Sequence, residues 1–527
     1  MAKVKNILFI MADQLRWDYL SCYGHPHLET PNIDRLAQKG VRFDRAYVQS
    51  PVCGPSRASC YTGRTTFSHG STWNQVPLPI GEWTMSDYLK PAGMRTAVVG
   101  KTHMTPDKEG MERLGIKPDT AIGAIMSQPG FEPYERDDGL HPDAGLKQRG
   151  GKLAYNDWLR AQGYDGENPW HTWANSAAGP DGEILSGWHL RNSHLPARVA
   201  EPHSETAYMT DRAMEFIAET GDQPWCLHLS YIKPHWPYIA PAPYHDMYDH
   251  NQFLPVHRSQ KEREDTHPVI NAFMEEKVAT TFSGREARER VLAGYMGLVK
   301  QIDDHLGRLF AHLEETGRME DTMIVFTSDH GDYLGDHWMG EKELFHEASV
   351  RVPLIIYDPS EAADSTRGQV DTRLVEAIDL LPTFIDTMGL EPPYHRLEGR
   401  SLKPLLHGEA PADWREAAFS EIDYAFYNVR EVLDIPASKA RAYMIRTERW
   451  KYIYFKGYRP QLFDLENDPD EFDDLGNSAD HQDIRATMQD LLLDRLTDRR
   501  NRVTQSDEAV LKIRAGEGTS GIMIGIW

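Results

Sequence analysis

The chain has 527 residues, 40% hydrophobic and 26% charged. This is ordinary globular usage and excludes disorder of the whole chain. The 57 basic and 80 acidic residues give a formal charge of -23, which argues against a nucleic-acid binder held by broad phosphate attraction. An anionic substrate stays open, because a local cluster of Lys, Arg, His and metal can override the global field. The 4 cysteines, Cys22, Cys53, Cys60 and Cys226, are too few for a disulfide framework. The apolar run Ile7 to Ala12 is too short for a signal segment, and no stretch approaches the roughly 20 apolar residues that cross a bilayer. A cytoplasmic protein without membrane contact is expected.

Taken in chain order, Asn6 to Ala12 (NILFIMA) suits a strand buried on both faces. Thr30-Pro31 opens a helix with Thr30 as cap, ending at Gly40. Trp83 to Ala92 reads as a helix stopped by Gly93, and Thr96 to Val99 as a short strand. Trp225 to Ser230, Met323 to Thr327 and Leu354 to Tyr357 are further buried strands. Arg288 to Thr316 is a long amphipathic helix, with Leu292, Tyr295, Met296, Val299, Ile302 and Leu306 at steps of three or four. Leu374 to Met388 reads as a helix kinked at Pro382. Thr105 to Thr210 has little periodicity and suits either a substrate-shaping insertion or an oligomer-contact loop. Beyond Asp413, Ala442 to Thr447, Lys451 to Phe455 and Gln461 to Leu465 suggest an antiparallel sheet, followed by a helix over Ile484 to Thr497. The apolar end, Gly521 to Trp527, is expected to pack on the body or on a neighbouring subunit.

The fold class is therefore α/β: a large, mostly parallel central sheet flanked by helices on both faces, with a smaller C-terminal antiparallel-sheet domain. Residues 1–412 form the expected catalytic domain, with an insertion over about 105–210, and residues 413–527 the small domain. Sites in such sheets lie at the carboxyl ends of strands. There the chain places Asp13-Gln14, Lys101-Thr102-His103, His235 between Pro234 and Pro237, and Asp329-His330. Two carboxylates, an amide and an imidazole suit one divalent cation. An extended backbone would point Lys101 and His103 to the same side. With Lys342 they describe an anion pocket beside a metal.

The most specific string is Cys53-Gly54-Pro55-Ser56-Arg57 followed by Thr62-Gly63-Arg64. Pro55 fits the first turn of a helix and Gly63 its end, which puts Cys53 near the N-cap and Arg57 at i+4. This string resembles the signature of the formylglycine-dependent sulfatases, in the alkaline phosphatase superfamily. The resemblance covers most of the chain, including GKTH, KPHWP, SDHGD, EGRSL at Glu398 to Leu402 and QLFDLENDPDE at Gln461 to Glu471.

The resemblance implies that Cys53 is oxidised after translation to formylglycine, whose hydrate is nucleophile and metal ligand. It implies that Asp13, Gln14, Asp329 and His330 complete the metal site, and that Arg57 holds the hydrate. Lys101 and His103 would contact the anion, with His103 accepting a proton. His235 and Lys342 would bind the ester oxygens and help the leaving group depart. Gln14, and Asn74 as a substrate-binding residue, resemble the phosphonate monoester hydrolases, whereas Lys101 and His103 resemble the sulfatases. Ca²⁺ is the favoured ion, with Mn²⁺ the alternative that an imidazole ligand suits. The expected activity is sulfuric ester hydrolysis of the arylsulfatase kind, promiscuous toward phosphonate monoesters and phosphodiesters. The alternatives are a phosphonate monoester hydrolase using the same site and an inactive anion-binding protein. Expected partners are a small anionic ester, a formylglycine-generating maturation enzyme, and further copies of the chain in a dimer or tetramer.

Overall fold

The computed structural model describes residues 4–139 and 153–517. Its strands, in chain order, are β1 (Asn6–Asp13), β2 (Val41–Tyr47), β3 (Arg95–Gly100), β4 (Glu132–Arg136), β5 (Ser176–Ala178), β6 (Ile184–Ser186), β7 (Trp225–Pro234), β8 (Thr322–Thr327), β9 (Arg351–Tyr357), β10 (Val370–Glu376), β11 (Ala418–Asp423), β12 (Arg441–Arg446), β13 (Trp450–Phe455) and β14 (Gln461–Asp464). Eight of them form one sheet in the order β10-β2-β9-β8-β1-β7-β3-β4. All its neighbouring strands are parallel except β9, which runs against both β2 and β8. The principal helices are α1 (Pro31–Lys39), α2 (Cys53–Thr62), α3 (Glu205–Glu219), α4 (Arg285–Glu315), α5 (Leu380–Thr387) and α6 (Gln482–Thr497).

The alternation within β1 explains why its sequence is apolar throughout. Ile7, Phe9 and Met11 enter one core with β10 and α5, while Leu8, Ile10 and Ala12 enter the other with α3 and α4. A strand buried on both faces cannot carry a polar stripe. Strands β11 to β14 form an antiparallel sheet whose one face (Ile422, Met444, Ile453, Phe455) joins the first of these cores. Its other face (Phe419, Ile445, Tyr452, Leu462) is covered by Met488 and Leu492 of α6.

Several local expectations are corrected. Residues 374–388 are not one kinked helix: β10 runs to Glu376, a short turn follows, and α5 begins at Leu380. Pro382 then falls in the first turn, where its missing N–H breaks no helical bond. Thr30 makes no capping bond to α1; its hydroxyl pairs with Ser21. The cap comes from α4, where Asp303 accepts the N–H groups of Asn32 and Ile33 at 3.0 and 2.8 Å. The weakly periodic stretch 105–210 contributes β4 to the edge of the large sheet. Among the described residues no helix is long and apolar enough to cross a membrane. The apolar run 521–527 lies outside the described residues.

Candidate active site

Helix α2 starts at Cys53 and stops at Gly63, whose φ of 64° gives the left-handed turn that favours glycine. It is buried along its whole length, so its polar side chains must find partners inside the protein. Arg57 does so at four points. Its Nε donates to Asp329 Oδ2 at 2.8 Å and its Nη2 to Asp13 Oδ2 at 3.0 Å. Its Nη1 donates to the Lys101 carbonyl at 2.9 Å and to Ser230 Oγ at 2.7 Å. One guanidinium thus ties the ends of β1 and β3 and the middle of β7 to the loop after β8. Ser56 Oγ adds a bond to the Asp329 carbonyl at 2.6 Å.

The donor atoms of Asp13, Cys53, Asp329 and His330 all lie within 4.8 Å of one another. His330 Nδ1 faces the Gly331 carbonyl at 2.9 Å and so carries the proton of the neutral ring. Its Nε2 lone pair then points at Cys53 Sγ, 3.1 Å away. An imidazole oriented this way, beside two carboxylates, offers its Nε2 as a metal ligand. Burial pushes His330 down, yet Asp329 and Cys53 outweigh it and hold the ring above its usual range. The set therefore fits one divalent ion. Gln14 lies at its edge: its backbone N–H donates to Asp329 Oδ1, and its side chain is fixed by Tyr238 (2.9 Å) and Asp332 (2.5 Å).

Positive charge surrounds the sulfur. Lys342 Nζ lies 3.4 Å from Cys53 Sγ, 3.0 Å from Gln14 Oε1 and 3.4 Å from His235 Nε2. Lys101 Nζ lies 4.0 Å from Sγ and 2.5 Å from Asp13 Oδ2. Burial pushes the Cys53 thiol up, but Lys101, Lys342 and His330 outweigh it and hold it well below its usual range. Burial and neighbouring Lys101 push His235 down to about 3. His235 is therefore neutral near pH 7, with its proton on Nδ1 facing the Trp236 carbonyl at 2.7 Å and its Nε2 accepting from Lys342.

His103 reaches the site by a different route from the one its spacing predicts. Its φ is 53°, so the chain turns after Lys101 instead of staying extended. Asp138 holds that turn by accepting the N–H groups of Thr102 and His103 at 2.9 and 3.0 Å. Asn74 lies against α2, its Oδ1 accepting the Gly54 N–H at 2.8 Å. A Cβ on Gly54 would stand 2.9 Å from that oxygen, so a larger residue there would push the Asn74 side chain away. All the sequence-nominated residues thus converge on one place. Sequence reasoning missed Ser230, Tyr238 and Asp332, which only position other groups, and the aromatic wall. A cavity of about 500 Å³ is lined by Asn74, Lys101, His103, His235 and Lys342 together with Trp73, Trp170, Trp188 and Trp236.

A mostly parallel sheet with a buried thiol, carboxylates and imidazole at the carboxyl ends of its strands defines a hydrolase-type site of the alkaline phosphatase superfamily. The family model described as Sulfatase matches residues 5–140 and 147–390, and the chain belongs to that family. A second model, the C-terminal region of N-sulphoglucosamine sulphohydrolase, matches residues 335–498. The chain is 32% identical to the multifunctional alkaline phosphatase superfamily protein PehA of Trinickia caryophylli, covering 89% of this chain and 91% of that one. It is 28% identical to an arylsulfatase of Clostridium perfringens, covering 95% and 96%. Among solved structures, the phosphonate monoester hydrolase of Silicibacter pomeroyi superposes with a TM-score of 0.82 at 29% identity, covering 96% of this chain and 98% of that one.

Proposed function

We propose that the protein hydrolyses sulfate monoesters, with phosphonate monoesters and phosphodiesters as secondary substrates, using formylglycine made from Cys53 and one divalent metal. The observation that carries this reading is the convergence of two buried ammonium groups, Lys101 and Lys342, on the Cys53 sulfur. A sulfate monoester presents three equivalent non-bridging oxygens, and the metal with Lys101 and Lys342 would make three cationic partners for them, one more than the two such oxygens of a phosphonate ester need. When bound, the metal (held by Asp13, Asp329, His330 and residue 53, with Gln14 at its edge) and the formylglycine supply Lewis acidity and an activated hydroxyl nucleophile.

The remaining work falls to the chain's own residues. Arg57 fixes Asp13 and Asp329 and so sets where residue 53 points. Lys101 and Lys342 offset the charge that repels a nucleophile, in a site whose dipoles are already oriented. Neutral His235 holds the Lys342 ammonium toward the ester, so that Lys342 faces the negative charge building on the leaving oxygen. His103, whose buried Nδ1 has no hydrogen-bond partner among the described residues, is the proton acceptor for the release step. A formylglycine-generating enzyme as partner and a homodimer or homotetramer belong to the same reading.

A second reading, phosphonate monoester hydrolysis as the main activity, is favoured by the TM-scores of 0.82 and 0.79 to two phosphonate monoester hydrolases. A matched panel of aryl sulfate, aryl phosphonate and phosphodiester, run on one preparation with its metal content measured, decides between them. The first reading requires the highest kcat/KM for the sulfate. A higher value for the phosphonate establishes the second, and no turnover with formylglycine present at position 53 overturns both.

A further inference from the structure

An ammonium group carries three N–H donors, and Lys342 meets three acceptors: Gln14 Oε1 at 3.0 Å, Cys53 Sγ at 3.4 Å and His235 Nε2 at 3.4 Å. It keeps one donor aimed at residue 53 only while the other two stay occupied. His235 presents a lone pair because its own proton faces the Trp236 carbonyl. The Gln14 contact is of another kind. An amide turned by half a rotation presents NH₂ where its oxygen stood, and then repels the ammonium.

The surroundings of Gln14 decide which way it faces. Its Nε2 donates to Asp332 Oδ2 at 2.5 Å and to the Tyr238 hydroxyl at 2.9 Å. That hydroxyl passes its own proton to the same Asp332 oxygen at 2.6 Å. Asp332 Oδ1 accepts the Leu334 N–H at 2.9 Å. Three donors thus converge on Asp332, as an acceptor-only carboxylate requires. Turning the Gln14 amide over would set its oxygen against this carboxylate and its NH₂ against Lys342, so both contacts would fail together. The backbone of Gln14 is fixed as well: its N–H donates to Asp329 Oδ1 at 3.1 Å and its carbonyl accepts the Tyr295 hydroxyl at 2.9 Å. Gln14, Tyr238 and Asp332 are fully buried, so water cannot stand in for a lost partner.

Resting on the ester-hydrolase reading, in which Lys342 faces the leaving oxygen, we propose that Asp332 and Tyr238 are positioning residues for Lys342 and act through the Gln14 amide, whose carbonyl they hold toward the ammonium. The same pair demands a neutral side chain at position 14. A carboxylate of the same shape there would face the Asp332 carboxylate across the 2.5 Å that the amide now bridges, like charge against like charge. Asp332→Asn disturbs the chain from the other end, since it puts an amide nitrogen where either Gln14 or the Leu334 N–H needs an acceptor.

The test compares Gln14→Glu, Asp332→Asn and the double variant Gln14→Glu/Asp332→Asn on substituted phenyl sulfates and phenyl methylphosphonates of graded leaving-group pKa. In whichever series turns over, each single variant should lose roughly tenfold or more in kcat with poor leaving groups and less than about threefold with 4-nitrophenol, because only a poor leaving group depends on Lys342. Asp332→Asn should keep the metal content of the parent. The double variant exchanges amide and carboxylate, restores a donor facing an acceptor between the two positions, and should run at least tenfold faster than Gln14→Glu. In a Lys342→Ala background, Asp332→Asn should cost less than twofold, since its effect passes through the missing ammonium. A loss equal across all leaving groups, a loss that tracks metal content, no recovery in the double variant, or full additivity with Lys342→Ala overturns the proposal. Crystal structures of the same variants read the point without turnover: Lys342 Nζ should move by about 1 Å in the single variants and return in the double one. That movement, with no hydrolysis of either ester type while formylglycine is present at position 53, keeps this proposal and overturns the hydrolase reading. Hydrolysis with Lys342 unmoved in both single variants does the reverse.

Discussion

Replacing Arg57 tests whether one side chain holds the site together. Its guanidinium is fully buried, as are the Asp13 and Asp329 carboxylates it bridges. Arg57→Ala leaves the buried Asp329 carboxylate without its cation and Asp13 with Lys101 alone, a loss of about 3–5 kcal/mol by analogy with other broken buried pairs. At about 2 °C per kcal/mol for a large chain, the midpoint of thermal unfolding should fall by about 6–10 °C in metal-free buffer. Arg57→Lys keeps the charge but not the fork that spans both carboxylates, the Lys101 carbonyl and Ser230, and should recover less than half of the loss. Added Ca²⁺ or Mn²⁺ should narrow the gap between Arg57→Ala and the parent, because an ion among the same carboxylates supplies the missing charge. An Arg57→Ala protein that melts within 2 °C of the parent without metal, or an Arg57→Lys protein indistinguishable from it, would refute this account.

Cys53→Ala should abolish turnover while leaving the far-ultraviolet circular dichroism spectrum unchanged; most of the rate surviving would remove Cys53 from the chemistry. Lys101→Ala and Lys342→Ala should each lower kcat/KM for an aryl sulfate by about 10²–10³, the usual cost of a lost charge-stabilising group. The exposed Lys261, paired with exposed Asp473, serves as the control and should show less than a twofold change on substitution. Burial raises Asp303 from the usual 3.8 to about 6 despite its bonds to the start of α1. The folded chain then binds the proton more tightly than the unfolded chain, so this carboxyl's contribution to stability falls as pH rises from about 4 to 6, by up to about 3 kcal/mol. Denaturation of parent and Asp303→Asn across that range should show the parent losing ground with rising pH; a constant difference would contradict the burial argument.

The parts of the fold legible in the sequence are those whose pattern is local. β1 and β8 are mostly apolar runs, and α4 repeats its apolar face from Val291 to Leu313, about six turns. β10 was misread because Leu374, Val375, Ile378, Leu381 and Ile385 also satisfy helical spacing, and only pairing with distant β2 selects the strand. β2 escaped notice although its buried Val41 and Phe43 alternate with less buried residues, because Arg and Asp interrupt a short segment. The site was legible for a related reason. Its ligands come in contiguous strings at strand ends, each with a recognisable residue type. The turn at His103 depends on Asp138, 35 residues later, and the support of Gln14 depends on Tyr238 and Asp332. The tryptophans of the cavity wall come from four separate segments and share no motif.

The complete burial of Cys53 also fixes an order of events during synthesis. Two of the residues that enclose it, His330 and Lys342, lie 277 and 289 positions further along the chain. At ribosomal speeds of about 5–20 residues per second, roughly 15–60 s separate the emergence of the thiol from that of Lys342. Any enzyme that is to oxidise this side chain has that interval in which to find it on a nascent polypeptide. On the formylglycine reading, a slow oxidant would leave behind folded molecules in which residue 53 is still a buried thiol.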